Sequence, residues 1–265
     1  MSIKRINGTD LERMVKMAYL NLQKHEAAIN AMNVFPVTDG DTGTNMRLTL
    51  LNGIHHATPN THLGNYLKQL SDGMLLGARG NSGVILSQIF RGFYLALSSD
   101  SIADVGELRD AFILGYKTAY QSVTRPVEGT ILTVAREGIE NIKSQIGRNT
   151  YIPNLISMYV AEMRKTLSHT PEMLPVLKEA GVVDSGGYGY ILMMEGMEKC
   201  LYGEEISADE ETWLAPTPTP MVSIGSSAKF NENSNFELGY CMEFLLQLVR
   251  CKTAFFVRRV FSGTL

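Results

Sequence analysis

From Asp10 to about Leu201 apolar residues return at helical intervals, and between alternate segments the pattern gives way to polar, glycine-bearing loops. Leu11, Met14, Val15, Ala18 and Leu22 lie on one face of a helix that the spacing carries from Asp10 to about Asn33. A second helix is predicted from about Thr44 to His56, closed by Thr58-Pro59-Asn60. Leu63 to Ser98 reads as helix broken at Gly77 to Gly83, with a core stripe of Leu86, Phe90, Phe93 and Leu97. Further helices are expected at 104–122, from Ile131 to Ile142 with Thr130 as N-cap, and around Ile156 to Leu167. Pro171 should start a short helix ending near Ala180, and an apolar helix should run from about Tyr190 to Leu201. Seven or eight helices with such loops between alternate members describe an all-α bundle. Its polar loops gather at one end, where an active site is expected.

The densest of these loops is Asn33 to Asn45, reading NVFPVTDGDTGTN. Asp39 and Asp41 flank a glycine, which permits backbone angles that bring both carboxylates toward one point. Two oxygen donors suit magnesium, which takes one or two protein carboxylates and completes its shell with water and substrate phosphates. Thr42, Gly43, Thr44 and Asn45 add hydroxyl, amide and backbone N–H groups at a helix start, where phosphate is favoured. Aspartate, glycine and threonine also build ordinary solvated turns. An EF-hand is excluded, since Gly43 and Leu50 occupy its fifth and twelfth positions. An aspartyl-phosphate nucleophile is disfavoured, because Pro36 interrupts the run that would have to be a buried strand.

Gly77-Ala-Arg-Gly-Asn-Ser-Gly83 places three glycines in otherwise helical sequence, at roughly 1 kcal/mol each relative to alanine. Either a phosphate or adenine meeting Asn81 and Ser82, or a tight helix crossing, would offset that cost, and the sequence leaves both open. No Gly-Lys pair occurs, so this is not a Walker loop. Thr124 to Thr130 and Gly181 to Gly189, which contains Asp184 and Ser185, are the other two polar loops that open helices. His55 and His56 point apart on a helix and share no metal.

With 45% hydrophobic and 19% charged residues in 265, the chain is globular, and a net charge of −3 disfavours a nucleic-acid partner. Cys200, Cys241 and Cys251 lack CxxC spacing, which points to a reducing cytoplasm. No apolar run reaches the ~20 residues of a membrane span, and the N-terminus lacks a signal core. Residues 203–235 turn acidic, then proline- and serine-rich, and read as a linker. Residues 236–265 resemble the first strand of another domain followed by an atypical, truncated tail too short to bury a core of its own.

Taken together, Asn33 to Met46, Gly77 to Gly83, Glu128-Gly-Thr130 and Val183 to Gly189 resemble the DhaL (DAK2) kinase domain, over about residues 8–202. They are closest to the N-terminal domain of bacterial fatty acid kinase A subunits. The resemblance implies an up-and-down barrel of eight antiparallel helices that binds ATP or ADP with two magnesium ions at one end. Asp39 and Asp41 match two of three metal aspartates. Asn33 falls near the third, one residue out of register, where it would bind through its carbonyl or a water. Thr42 to Asn45, Asn81, Ser82 and Gly83 would meet the phosphates. Gly129, Thr130, Asp184, Ser185 and Gly186 would line the nucleotide pocket. Apart from the resemblance, Arg79 is a candidate to meet charge on the transferred group, with an ordinary surface arginine on a loop as the alternative. The implied reaction phosphorylates a fatty acid held by a separate fatty-acid-binding B-type protein, with a homodimer as the oligomer expectation. A dihydroxyacetone-kinase subunit and a non-catalytic nucleotide-binding scaffold are the alternatives.

Overall fold

The computed structural model describes residues 2–206 and the backbone of two further strands. The chain divides into two units, Met1–Thr217 and Pro218–Leu265. In the second, β3 (Tyr240–Leu246) pairs antiparallel with β4 (Phe255–Phe261). The linker expected over 203–235 lies, from residue 207, outside the described residues.

The first unit runs β1 (Arg5–Asn7), α1 (Gly8–Lys24), α2 (Glu26–Ala31), α3 (Thr42–His56), α4 (Leu63–Leu76), α5 (Gly80–Leu97), β2 (Ile102–Asp104), α6 (Val105–Ser122), α7 (Ile131–Glu140), α8 (Ile152–Met173), α9 (Pro175–Ala180) and α10 (Ser185–Tyr202). Among the described residues eight helices have ten residues or more, and α2 and α9 have six each. None is long and apolar enough to cross a membrane.

The eight long helices alternate in direction. β1 pairs antiparallel with β2, and each strand ends in the N-cap of the helix that follows it. Asn7 and Asp104 close reciprocal capping boxes with Asp10 and Glu107, so α1 and α6 start side by side. The N–H groups of Leu63 and Gly64 donate to the carbonyls of Ser101 and Asp100, and that of Ile152 to Ile3. The starts of α1, α4, α6 and α8 therefore share one end, and those of α3, α5, α7 and α10 fall at the other. Inside, Phe90, Phe93, Phe112, Tyr159 and Tyr190 form a ladder of rings whose successive centroids lie 4.8 to 6.3 Å apart. These edge and offset contacts tie α5, α6, α8 and α10 into one core.

Three local readings differ from the sequence expectation. The first helix stops at His25, whose N–H turns back to the Leu22 and Gln23 carbonyls, and α2 restarts at once. The β1–β2 clip joins residues far apart in sequence, which local pattern does not register. Pro171 does not start a helix: it lies inside α8, and Pro175 opens α9. Proline leaves the carbonyl four residues back without its donor, here Leu167. The Thr170 hydroxyl supplies that bond at 2.7 Å, so the helix continues.

Candidate functional site

Four loops lead into α3, α5, α7 and α10, and each carries one glycine with positive φ: Gly40, Gly80, Gly129 and Gly181. Side chains then tie the starts of α3, α7 and α10 together. The Ser185 hydroxyl, in the first turn of α10, donates to the buried Thr42 hydroxyl of α3 at 3.2 Å. The buried Asp184 carboxylate accepts from the N–H of Gly187 at 2.7 Å and from that of Ile131, capping α10 and reaching α7. Burial raises its pKa to about 6, against the pull of those two N–H groups. Thr130 caps α7, its hydroxyl accepting from the Leu132 N–H. The N–H of Asp184 donates to Thr170, linking the end of α8 to the same cluster.

The glycines of the α4–α5 break meet one face of α3. A Cβ on Gly77 would lie 2.3 Å from Asn52, one on Gly80 2.5 Å from Asn45, and one on Gly83 2.3 Å from the Thr49 hydroxyl. Asn45, Thr49 and Asn52 are successive residues of one helical stripe. Close approach of helices thus accounts for the glycine spacing, and the Thr49 hydroxyl also accepts from the Arg79 N–H at 3.2 Å. Two polar features remain at this junction. The N-cap residue of α5, Arg79, makes no side-chain cap bond, and among the described residues the buried Asn81 Oδ1 has no hydrogen-bond partner. A helix start without a cap and an orphaned buried oxygen beside it leave bonding capacity that protein groups do not fill.

The α2–α3 loop is organised differently. Asn33, 4% exposed, accepts from both the N–H and the hydroxyl of Thr42 and donates to the Val37 carbonyl at 2.6 Å. Asn30 accepts from the N–H groups of Gly43 at 2.7 Å and Thr44 at 3.2 Å. The start of α3 is therefore capped by side chains from outside the helix, and its N–H groups are taken. Asp39 is exposed and Asp41 half-buried. Burial raises the pKa of Asp41, and the neighbouring Asp39 pushes it the same way, against a hydrogen bond from Asn45. A divalent cation would relieve that repulsion. No group of three or more His, Cys, Asp or Glu side chains fit to hold a metal occurs among the described residues. Two carboxylates are nonetheless what magnesium takes when phosphates and water supply its other oxygens.

The structure thus brings Thr42 to Asn45, Asn81 to Gly83 and Asp184 to Gly186 to one end of the bundle, with Thr130 joined to them through the Asp184–Ile131 contact. Asn30, Thr49 and Thr170 were not singled out from sequence. Each acts through one hydrogen bond or a few to a distant loop, and only the Thr-Pro pair at 170–171 carried a local hint.

The family model for the DAK2 domain matches residues 36–199. Protein YloV of Bacillus subtilis is 38% identical over 260 residues, which is 96% of this chain and 46% of that protein. An uncharacterized protein of Staphylococcus epidermidis is 38% identical over 258 residues, and one of Staphylococcus aureus (strain USA300) 37% over 263, with the same shares covered. The chain spans about half the length of the curated relatives it matches.

Proposed function

The chain belongs to the DAK2-domain family, and from that premise we propose that it is the nucleotide-binding component of a kinase pair. In this reading it transfers the γ-phosphoryl group of ATP to the carboxylate of a fatty acid carried by a separate acyl-binding protein. The observation that supports it is the open start of α5, with the orphaned Asn81 Oδ1, beside the carboxylate pair on the loop before α3. Helix starts and their N–H groups favour phosphate.

Asp39 and Asp41 would hold magnesium, which when bound neutralises charge on the phosphates. Asn33, whose amide oxygen already serves Thr42, would set the geometry of the loop and reach a metal only by giving up that bond. The first turn of α5, Asn81 to Gly83, would take the phosphates, with Thr44 and Asn45 facing them from α3. Gly129, Thr130, Asp184, Ser185 and Gly186 would wall the nucleotide, and Arg79, at the N-cap of α5, would meet charge on the transferred group. The acceptor carboxylate is ionised at neutral pH and needs no general base. Its oxygen bonds to the γ-phosphorus as the bond to the β-phosphate bridging oxygen breaks, giving an acyl phosphate and ADP.

Calorimetric titration with ATP or ADP, with and without magnesium, tests the site in the wild type and in Asp41→Ala. Magnesium-dependent binding, lost in the variant, is expected. Undiminished nucleotide turnover by Asp39→Asn with the acyl-loaded partner overturns the metal assignment. Turnover only with a dihydroxyacetone-loaded partner would move the acceptor to that sugar. Binding without transfer to either would make the chain a scaffold.

A further inference from the structure

We infer that Asn30 is a positioning residue of the magnesium-nucleotide site, an inference that rests on the functional reading above. Its carboxamide makes three hydrogen bonds to the first turn of α3: Oδ1 accepts from the N–H groups of Gly43 and Thr44, and Nδ2 donates to the Thr44 hydroxyl at 3.0 Å. Asp41, the N-cap residue of α3, makes no side-chain cap bond. An aspartate at a helix N-cap ordinarily turns its carboxylate inward onto the first-turn N–H groups. Here Asn30 and Asn33 take those groups, so the carboxylate of Asp41 remains available to face Asp39 and a cation.

The brace is built to hold. A Cβ on Gly43 would lie 2.7 Å from the Glu26 carbonyl, so the backbones of α2 and α3 touch where Asn30 reaches across. Glu26, one turn earlier, accepts from the Thr44 hydroxyl and from Arg47 Nε, both at 2.5 Å. The break at His25 gives α2 its own direction and sets Glu26 and Asn30 against α3. Asn30 thus acts on the carboxylate pair through α3 without lying among the groups assigned to the ligand.

The test compares Asn30→Ala with Asn21→Ala. Asn21 is buried where Asn30 is half-buried, and it too bonds backbone across helices, its Nδ2 donating to the Leu192 carbonyl at 2.6 Å, but it joins α1 to α10. Without nucleotide, hydrogen exchange at the Gly43 and Thr44 amides should quicken in Asn30→Ala alone. In calorimetric ADP titrations, the magnesium concentration giving half-maximal binding should rise about tenfold or more in Asn30→Ala, the scale of outer-shell losses, and stay at the wild-type value in Asn21→Ala. Wild-type magnesium dependence in a folded Asn30→Ala overturns this inference alone, and so do equal losses in both variants, which would mark a general effect of destabilisation. Failure of the wild type itself to bind overturns the functional reading, and this inference with it.

Discussion

Asp184 is a buried carboxyl group whose environment disfavours its charge, and this makes stability depend on pH in a direction opposite to that of most paired carboxylates. Its pKa rises from 3.8 to about 6 because burial outweighs the N–H groups of Gly187 and Ile131. Between those values the folded chain holds a proton that the unfolded chain has released, so the contribution of this group to stability falls as pH rises through the window and is gone above it. A shift of roughly two units corresponds to ~3 kcal/mol. Asp184→Asn removes the titration while keeping an oxygen for the Gly187 N–H. Any fixed penalty from turning an amide group toward Ile131 applies equally at every pH. Urea unfolding followed by far-UV circular dichroism, at about pH 4 and about pH 7, gives the difference between variant and wild type. That difference should move by roughly 2 kcal/mol in favour of asparagine between those two pH values, since at about pH 4 part of the unfolded carboxyl is already ionised. A difference constant across pH would refute the buried titration. Movement in favour of aspartate would mean that its hydrogen bonds outweigh burial and that the pKa is lowered.

Other substitutions probe the packing that holds the site. Gly83→Ala drives a Cβ to within 2.3 Å of the Thr49 hydroxyl, which holds the Arg79 N–H; it should cost about 1–3 kcal/mol, read by urea midpoint. In Gly196→Ala the new atom meets backbone, 2.5 Å from the Met17 carbonyl and 2.6 Å from the Ala18 Cα. Because backbone yields less than a side chain, this loss should exceed that of Gly83→Ala. Tyr159→Phe removes the partner of the buried Tyr190 hydroxyl and a donor to the Ala135 carbonyl. It should cost ~1–3 kcal/mol, while Tyr159→Phe with Tyr190→Phe should cost less than the two single losses combined, as a double-mutant cycle would show.

The helices were legible because each long one keeps a stripe of core residues, as with Leu86, Phe90, Phe93 and Leu97 on α5. The four loops were legible because glycines, aspartates and threonines punctuate them. The glycine triplet in the α4–α5 break left two readings open, and only the stripe of Asn45, Thr49 and Asn52 opposite it separates them. The fates of the cap groups were not legible at all. Nothing local says that Asn33 and Asn30 close α3 while α5 stays open, since each partner comes from another turn or another helix. Pro171 misled for the same reason: its effect on α8 is decided by the hydroxyl next to it.

The alternation of helix direction also fixes where a probe can sit far from the loop cluster. α10 begins at the loop cluster and ends at Gly203, so its 18 residues carry the chain about 27 Å away before it leaves the bundle. A dye attached at Gly203 and a fluorescent nucleotide at the cluster would form a built-in ruler. Energy transfer between them would test whether the cluster takes a nucleotide, with the attached dye far from all four loops.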